Sequence, residues 1–274
     1  MTYRRMLHRM VNLSKLKKFL NMAFFHLFTY NITKPFRFYS FTTIIFNLIL
    51  FTASAQENKL NKYGLWVISN KKAFINTVTA NPDNEMLSIN KSIPGIIVDL
   101  KYCGTDNFMK QKLYPYSNDT YLRKQAVLSL AAVQKKLNEK GLGLKIWDAY
   151  RPYAVTEKMW EPVKDDRYAA DPKFGSGHNR GVAVDLTIID LVTKEELNMG
   201  TVFDHFSDTA HVNFKFLSET VLHNRFLLQK LMEENGFKVL STEWWHFYLP
   251  DAKKYELLNL SFKQLKKINK DAAR

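Results

Sequence analysis

The stretch "FGSGHNRGVAVDLTI", Phe174 to Ile188, sets one imidazole, one guanidinium and one carboxylate among small and β-branched residues. Its second half has the composition of a strand. Side chains alternate faces along a strand, so the odd separation of His178 and Asp185 would put them on opposite sides of a regular one. Gly181 lies between them. A turn or bulge at this glycine lets the two side chains converge, and imidazole nitrogen and carboxylate oxygen are both ligands for Zn²⁺. Alone the pair is weak evidence, because a surface histidine and a helix-cap aspartate would read the same way.

Around this stretch, strands and helices alternate irregularly. "GIIVDLKY" (Gly95 to Tyr102) and "LGLKIWDAY" have strand character, and Gly181 to Leu191 forms the strand opened above. Residues 119–141 read as a helix on the spacing of Leu122, Ala126, Leu128, Ala131, Val133 and Leu137, with Gly141 to close it. Tyr153 to Val163 reads as a short helix with Pro152 near its first turn, residues 164–177 as a polar loop, and Ser218 to Gly236 as an amphipathic helix. Two short strands, "FKVL" and "EWWHFYL", follow at hairpin spacing. The expected class is α+β, a mostly antiparallel sheet with flanking helices.

A second candidate ligand lies in the last of these strands. In "TEWWHFYL", Glu243 and His246 are three apart, a pairing that on a strand needs an irregular turn, or one group among the ligands and one just outside them. A neutral His binds metal, and a nearby Glu can instead take a proton from water. Three protein ligands with an open position describe a catalytic zinc site. His178, Asp185 and His246 would supply those ligands, one ion per chain, and Glu243 the base. Trp244 and Trp245 would form an apolar wall or pack in the core. In "KIWDAYRPY", Arg151 ends a strand, placed to stabilise an oxyanion or to pair with Asp148.

Composition narrows the alternatives. The chain has 274 residues and a formal charge of +14, which at first suggests nucleic acid. Residues 1–55 carry eight Lys/Arg and no Asp or Glu, which leaves +6 on the remainder. That mild excess reads as solvated surface, so no nucleic-acid partner is expected. The basic stretch precedes "FTTIIFNLILFTASA" (Phe41 to Ala55), an apolar run short for a membrane span and ending in an A-x-A-type cleavage signal. The expectation is an export leader over 1–55, a mature periplasmic catalytic domain over 56–274, and no stable membrane span in the mature chain. A later start at Met22 and an uncleaved anchor are the alternatives. No Cys stands at the cleavage point to support a lipid anchor. The single Cys103 reads as a small buried residue at a strand end rather than a reactive thiol. His205 and His211 read as structural, with a second metal site as the alternative, and His223 as a helix residue facing solvent or the core edge. His8 and His26 fall in the leader, and Lys263, Lys266, Lys267 and Lys270 read as a solvated helix face, with weak attraction to an acidic cell wall as the alternative.

These motifs together resemble a known family. "SGHNRGVAVDLTI" is similar to the S-x-H-x-x-G-x-A-x-D motif of the D-alanyl-D-alanine dipeptidases of the VanX type, "EWWHF" to their E-x-x-H motif, and "WDAYRP" to their arginine motif. "VDLKYCGTDNF" and "MGTVFD" resemble two further segments, and all run in family order from about Ile97 to Phe247. The resemblance implies the fold shared by D-Ala-D-Ala metallopeptidases and the Hedgehog signalling domain. It implies zinc on His178, Asp185 and His246, Glu243 as general base and acid, and Arg151 steadying the tetrahedral transition state. It further implies Ser176 as a substrate contact and Asp204 as the partner of the dipeptide's free ammonium. The expected reaction is hydrolysis of D-Ala-D-Ala to two D-alanines. A D,D-carboxypeptidase or endopeptidase with the same zinc centre is the alternative, and a non-catalytic zinc module a third reading that Glu243 and Arg151 argue against. Asn179 stands where the family often has Ser, and Cys103 where Ala is common.

Overall fold

A computed structural model describes residues 60–272. The expected leader and cleavage signal, with His8 and His26, lie outside the described residues. Nine short strands and seven helices follow in order: β1 (Val67–Ile68), α1 (Lys71–Ala80), β2 (Met86–Ser88), α2 (Ile89–Ser92), β3 (Ile97–Val98), β4 (Tyr121–Arg123), α3 (Lys124–Asn138), β5 (Leu142–Asp148), α4 (Tyr153–Val163), α5 (Gly177–Arg180), β6 (Ala183–Asp190), α6 (Glu219–Glu234), β7 (Lys238–Leu240), β8 (Glu243–Tyr248), β9 (Leu257–Leu258) and α7 (Phe262–Ala272).

The central sheet has the order β3-β5-β6-β8-β7. Its β5–β6, β6–β8 and β7–β8 pairings are antiparallel and its edge pairing β3–β5 is parallel, so the sheet is mixed. Along β6 the pleat sorts side chains by parity. Val184, Leu186 and Ile188 enter the main core with Leu130 and Leu137 of α3 and Leu228 and Met232 of α6. Asp185 and Thr187 take the other face, which carries the chemistry. Each leucine fully buried in this layer contributes about 2 kcal/mol through the apolar area it removes from water.

Two readings, one helix and one strand, are corrected in detail. α3 starts at Lys124, because Tyr121–Arg123 pairs with Met86–Ser88 as β4, so Leu122 packs from a strand. The buried face is Ala126, Val127, Leu130, Val133 and Leu137, whereas Leu128 is 56% exposed. The run read as a strand over Gly95 to Tyr102 keeps only β3 and then tightens into a 3₁₀ turn at Lys101–Cys103. Cys103 is buried on that turn, its thiol donating to the carbonyl of Pro115, and burial pushes its pKa up to about 11, which leaves it an inert thiol. α4 has the bounds expected from sequence, and α6 is capped by Ser218, whose Oγ accepts from Val221 N–H. On α7, Lys263, Lys266, Lys267 and Lys270 are all exposed.

Candidate metal centre

The sheet register aligns the chemistry. Asp148 on β5 pairs with Asp185 on β6, and Asp185 pairs with His246 on β8, so three polar side chains form one row across neighbouring strands. The register of β5 shifts between Ile146 and Asp148, and this bulge brings Asp148 opposite Asp185. His178 reaches the row from α5, a single helical turn set before β6. Gly181 closes that turn at φ +72°, and a Cβ there would meet the Met86 side chain at 2.6 Å. The glycine thus does what the sequence required of it. His178 sits on a helical turn rather than on the strand, and the parity objection disappears.

Three ligand atoms converge, from His178, Asp185 and His246, all within 4.8 Å of one another. The Nδ1 of His178 lies 2.7 Å from the Ala149 carbonyl, which fixes its proton on Nδ1 and leaves Nε2 as a bare lone pair. That Nε2 lies 3.3 Å from His246 Nδ1 and 3.5 Å from Asp185 Oδ2, and His246 Nδ1 lies 2.8 Å from Asp185 Oδ1. Two imidazole nitrogens and a carboxylate crowded this closely, all buried or half-buried, are held together by positive charge, carried by protons on the rings or by a cation between them. Two donors at zinc bonding distance of about 2.0–2.2 Å in tetrahedral geometry lie about 3.4 Å apart. The donor set and its spacing fit one small divalent cation. Burial alone would raise the Asp185 pKa, but the two imidazoles hold it well below the usual carboxylate range. Among the described residues no other group of three or more His, Cys, Asp or Glu converges in this way, and His205, His211 and the exposed His223 belong to none.

Glu243 opens β8 at a register shift between Val239 and Leu240, the irregularity that the three-residue spacing to His246 demanded. Its Oε2 is 3.9 Å from His246 Nδ1, beside the ligand atoms rather than among them. Burial lifts its pKa to about 7, with His246 pulling the other way. A carboxyl balanced near neutrality can take up and release a proton at working pH.

Arg151 makes the acid pairing considered for it. Its Nε and Nη2 donate to Asp148 Oδ2 at 2.8 and 2.7 Å, and its Nη2 is 3.8 Å from Asp185 Oδ2. Its guanidinium stacks 4.9 Å from the Tyr102 ring centroid. Burial alone would lower its pKa, yet Asp148 and the neighbouring acids hold it above the usual value, so it stays cationic. Asp148 also accepts from Tyr114 Oη at 2.6 Å and lies 3.6 Å from His178 Nδ1.

A cavity of about 260 Å³ joins these groups, lined by Arg151, Ser176, His178, Asp185, Glu243 and His246, with Asp204 and Tyr102 on the same lining. Asp204 adopts φ +57° in the left-handed region. Its carboxylate accepts from Tyr102 Oη at 3.0 and 3.2 Å and from Phe108 N–H at 3.1 Å. Burial raises its pKa to about 7 against these donors. Ser176 reaches the cavity and also caps α5, its Oγ accepting from His178 N–H at 3.2 Å. Trp245 lines this cavity, while Trp244 turns away and donates to Thr201 Oγ1.

Sequence reasoning missed several supports. Asn179, given no role, is fully buried; it accepts from Ser176 N–H and donates to the Arg151 carbonyl at 2.8 Å and to Thr156 Oγ1 at 2.9 Å, tying the His178 turn to the Arg151 loop. Tyr102 and Tyr114 were invisible as polar partners because a tyrosine in an apolar run reads as core. Arg225 of α6 donates to the carbonyls of Met199, Thr209 and His211, which bracket Asp204 in sequence. A lone arginine on the apolar side of an amphipathic helix was the available signal.

Comparison with known proteins bears on the same residues. Residues 82–267 match the peptidase M15 family described as D-ala-D-ala dipeptidase. The chain is 35% identical over 174 residues to the D-alanyl-D-alanine dipeptidase of Escherichia coli (strain K12), covering 64% of this chain and 89% of that one. It is 29% identical over 188 residues to the D-alanyl-D-alanine dipeptidase of Enterococcus faecalis (strain ATCC 700802 / V583), covering 62% and 93% respectively. A solved LD-carboxypeptidase, LdcB, overlaps with a TM-score of 0.34 at 18% identity over 58% of this chain and 70% of that one, too loose a match to bear on mechanism.

Proposed function

The chain belongs to the D-ala-D-ala dipeptidase family, and from that premise we propose that it hydrolyses D-alanyl-D-alanine to two D-alanines with one zinc ion per chain. The observation that carries this reading is the shared cavity in which the His178–Asp185–His246 donor set, Glu243, Arg151 and Asp204 all meet. Zinc on those three residues would supply Lewis acidity, acidifying water and polarising a carbonyl oxygen. Glu243, poised at about 7, accepts the proton of the attacking water and returns it to the leaving amine. Arg151 points its remaining N–H groups at the oxyanion that forms, and Asp148 fixes its plane. Asp204 pairs with the free ammonium of the dipeptide. An N-acylated substrate would leave that buried carboxylate uncompensated, which is costly and selects for the unblocked dipeptide.

The leader over residues 1–55 supports export, which would place the domain beyond the inner membrane among wall-derived dipeptides. No helix among the described residues is long and apolar enough to cross a membrane. The test is a zinc-loaded assay offering free D-Ala-D-Ala beside an N-acetylated peptide ending in D-Ala-D-Ala. Alanine release from the free dipeptide alone is expected. Cleavage of the blocked peptide would replace this reading with the carboxypeptidase or endopeptidase, and zinc binding without cleavage of either would leave only a binding module.

A further inference from the structure

A larger groove of about 950 Å³ lies away from the metal centre, between α2, the 114–121 segment and α7. Lys91 of α2 and Lys263 and Lys266 of α7 line it. All three are exposed, and none has an ion-pair partner among the described residues, unlike Lys62, Lys71, Lys101, Lys136, Lys145 and Lys164. One carboxylate, Asp119, shares the lining, and it is turned onto Ser88 Oγ and the N–H groups of Asn90 and Thr120. The groove is therefore cationic in balance. At its lip Tyr116 is 84% exposed. An aromatic face left open beside unpaired cations offers an apolar plane for a sugar ring and charges for its carboxylates.

We propose that this groove docks an acidic glycan, the carboxylate-bearing glycan-peptide of the cell wall, and so holds the enzyme where its dipeptide is produced. Only the identity of the polymer rests on the wall-dipeptide reading; the unpaired lysines and the open ring do not. The groove backs onto the metal centre without entering it, for Tyr114 on its wall donates to Asp148, and Pro152 on its lining follows Arg151. Docking here leaves the catalytic cavity free. A concave, ring-lined trough suits a linear glycan better than a flat anionic lipid surface, which calls for an apolar wedge beside the cations.

The experiment is co-sedimentation of the full chain with purified peptidoglycan sacculi, with chitin as the uncharged glycan and phosphatidylglycerol vesicles as the lipid probe. The wild type is expected to bind sacculi, to bind chitin far less, and to weaken as salt screens the lysines. The combined Lys91→Glu, Lys263→Glu and Lys266→Glu variant should lose about tenfold or more in apparent affinity, and Tyr116→Ala about threefold. Both should retain wild-type turnover of the free dipeptide, which also confirms that they fold. Binding should survive excess free dipeptide. Four results would overturn the proposal: no binding to sacculi at low salt, equal binding by the lysine variant, release by free dipeptide, or a preference for the vesicles. Dipeptide turnover on the same samples separates its failure from that of the catalytic reading: loss of docking with turnover intact touches only the groove, and absent turnover touches only the reaction.

Discussion

Asp185, buried, and Asp204, half-buried, are two carboxylates on one cavity, yet the molecule holds them in opposite ways. Asp185 is fixed by strand register on both sides and by two imidazoles that keep it ionised. Asp204 sits on a loop at a left-handed φ, held by Tyr102 and Phe108, with burial pushing its pKa up to about 7. The strand region therefore carries the chemistry on a rigid ladder, and the loop region carries substrate selection on a device that one helix side chain keeps in shape. Damage to the first should appear in kcat, and damage to the second in KM.

The largest effect that could break this division is expected at Glu243. Replacing it with Ala should lower kcat by roughly 10³-fold or more, because proton transfer to and from the reacting atoms is lost. The metal content, measured by elemental analysis, should stay at one per chain, since Glu243 is not among the converging ligand atoms. Loss of metal together with activity would move Glu243 into the ligand set. Next is Asp148→Asn, which strips the charge that compensates buried Arg151. Breaking one side of a buried pair costs about 3–5 kcal/mol, readable by urea unfolding. A loss in kcat of roughly 10²-fold should accompany it as Arg151 loses its orientation. An unchanged kcat would show that Arg151 needs no such support.

The same division explains what was legible in the sequence. His178, Asp185, Glu243 and His246 could be read because ligand chemistry restricts residue type and their odd spacings demanded irregular backbone. The structure supplies that backbone as the Gly181 turn and the β7–β8 register shift. The parallel pairing of β3 was not legible, because a two-residue strand leaves no periodicity and its partner is set by tertiary packing. The start of α3 was misplaced for a related reason. Leu122 satisfies helical spacing by chance, while its backbone is claimed by the pairing with Leu87. Asn179 and Tyr114 were silent since their value lies in which carbonyl or carboxylate they reach, a relation that only the folded chain creates.

Asp204→Asn sharpens the comparison from the other side. The KM for free D-Ala-D-Ala should rise by roughly 30-fold, in line with truncating one partner of a buried charge pair, and kcat should change little. The same variant should be more stable than the wild type. With a folded pKa of about 7 against 3.8 for an unperturbed Asp, the native state keeps a proton that the unfolded chain releases between those values. Wild-type stability therefore falls as pH rises from about 4 to 7, then levels off. The amide does not titrate, so its gain should be absent at pH 4 and approach about 4 kcal/mol at pH 8, the equivalent of the shift from 3.8 to about 7. Denaturation midpoints at the two pH values check it, and an equal gain at both would assign it to something other than the carboxylate.

The smallest and most discriminating effect is expected at Arg225, which touches no part of the cavity. Its three donated hydrogen bonds end on carbonyls at 199, 209 and 211, and its guanidinium lies 5.5 Å from the Trp244 ring centroid. Trp244 in turn donates to Thr201 on the same loop. One cation thus gathers both ends of the segment that holds Asp204 in its strained conformation. Arg225→Met keeps the apolar stem and deletes the donors. It should raise KM for the free dipeptide by about tenfold, equivalent to about 1.4 kcal/mol, with kcat within about twofold. Selectivity over the N-acetylated peptide should narrow by the same factor, and Arg225→Lys should recover part of it. A purely structural arginine would instead lower kcat and the folded fraction together and leave selectivity alone. That outcome would return the loop's shape to its own backbone and dissolve the distinction between the two regions, because selection would then depend on no support outside the cavity.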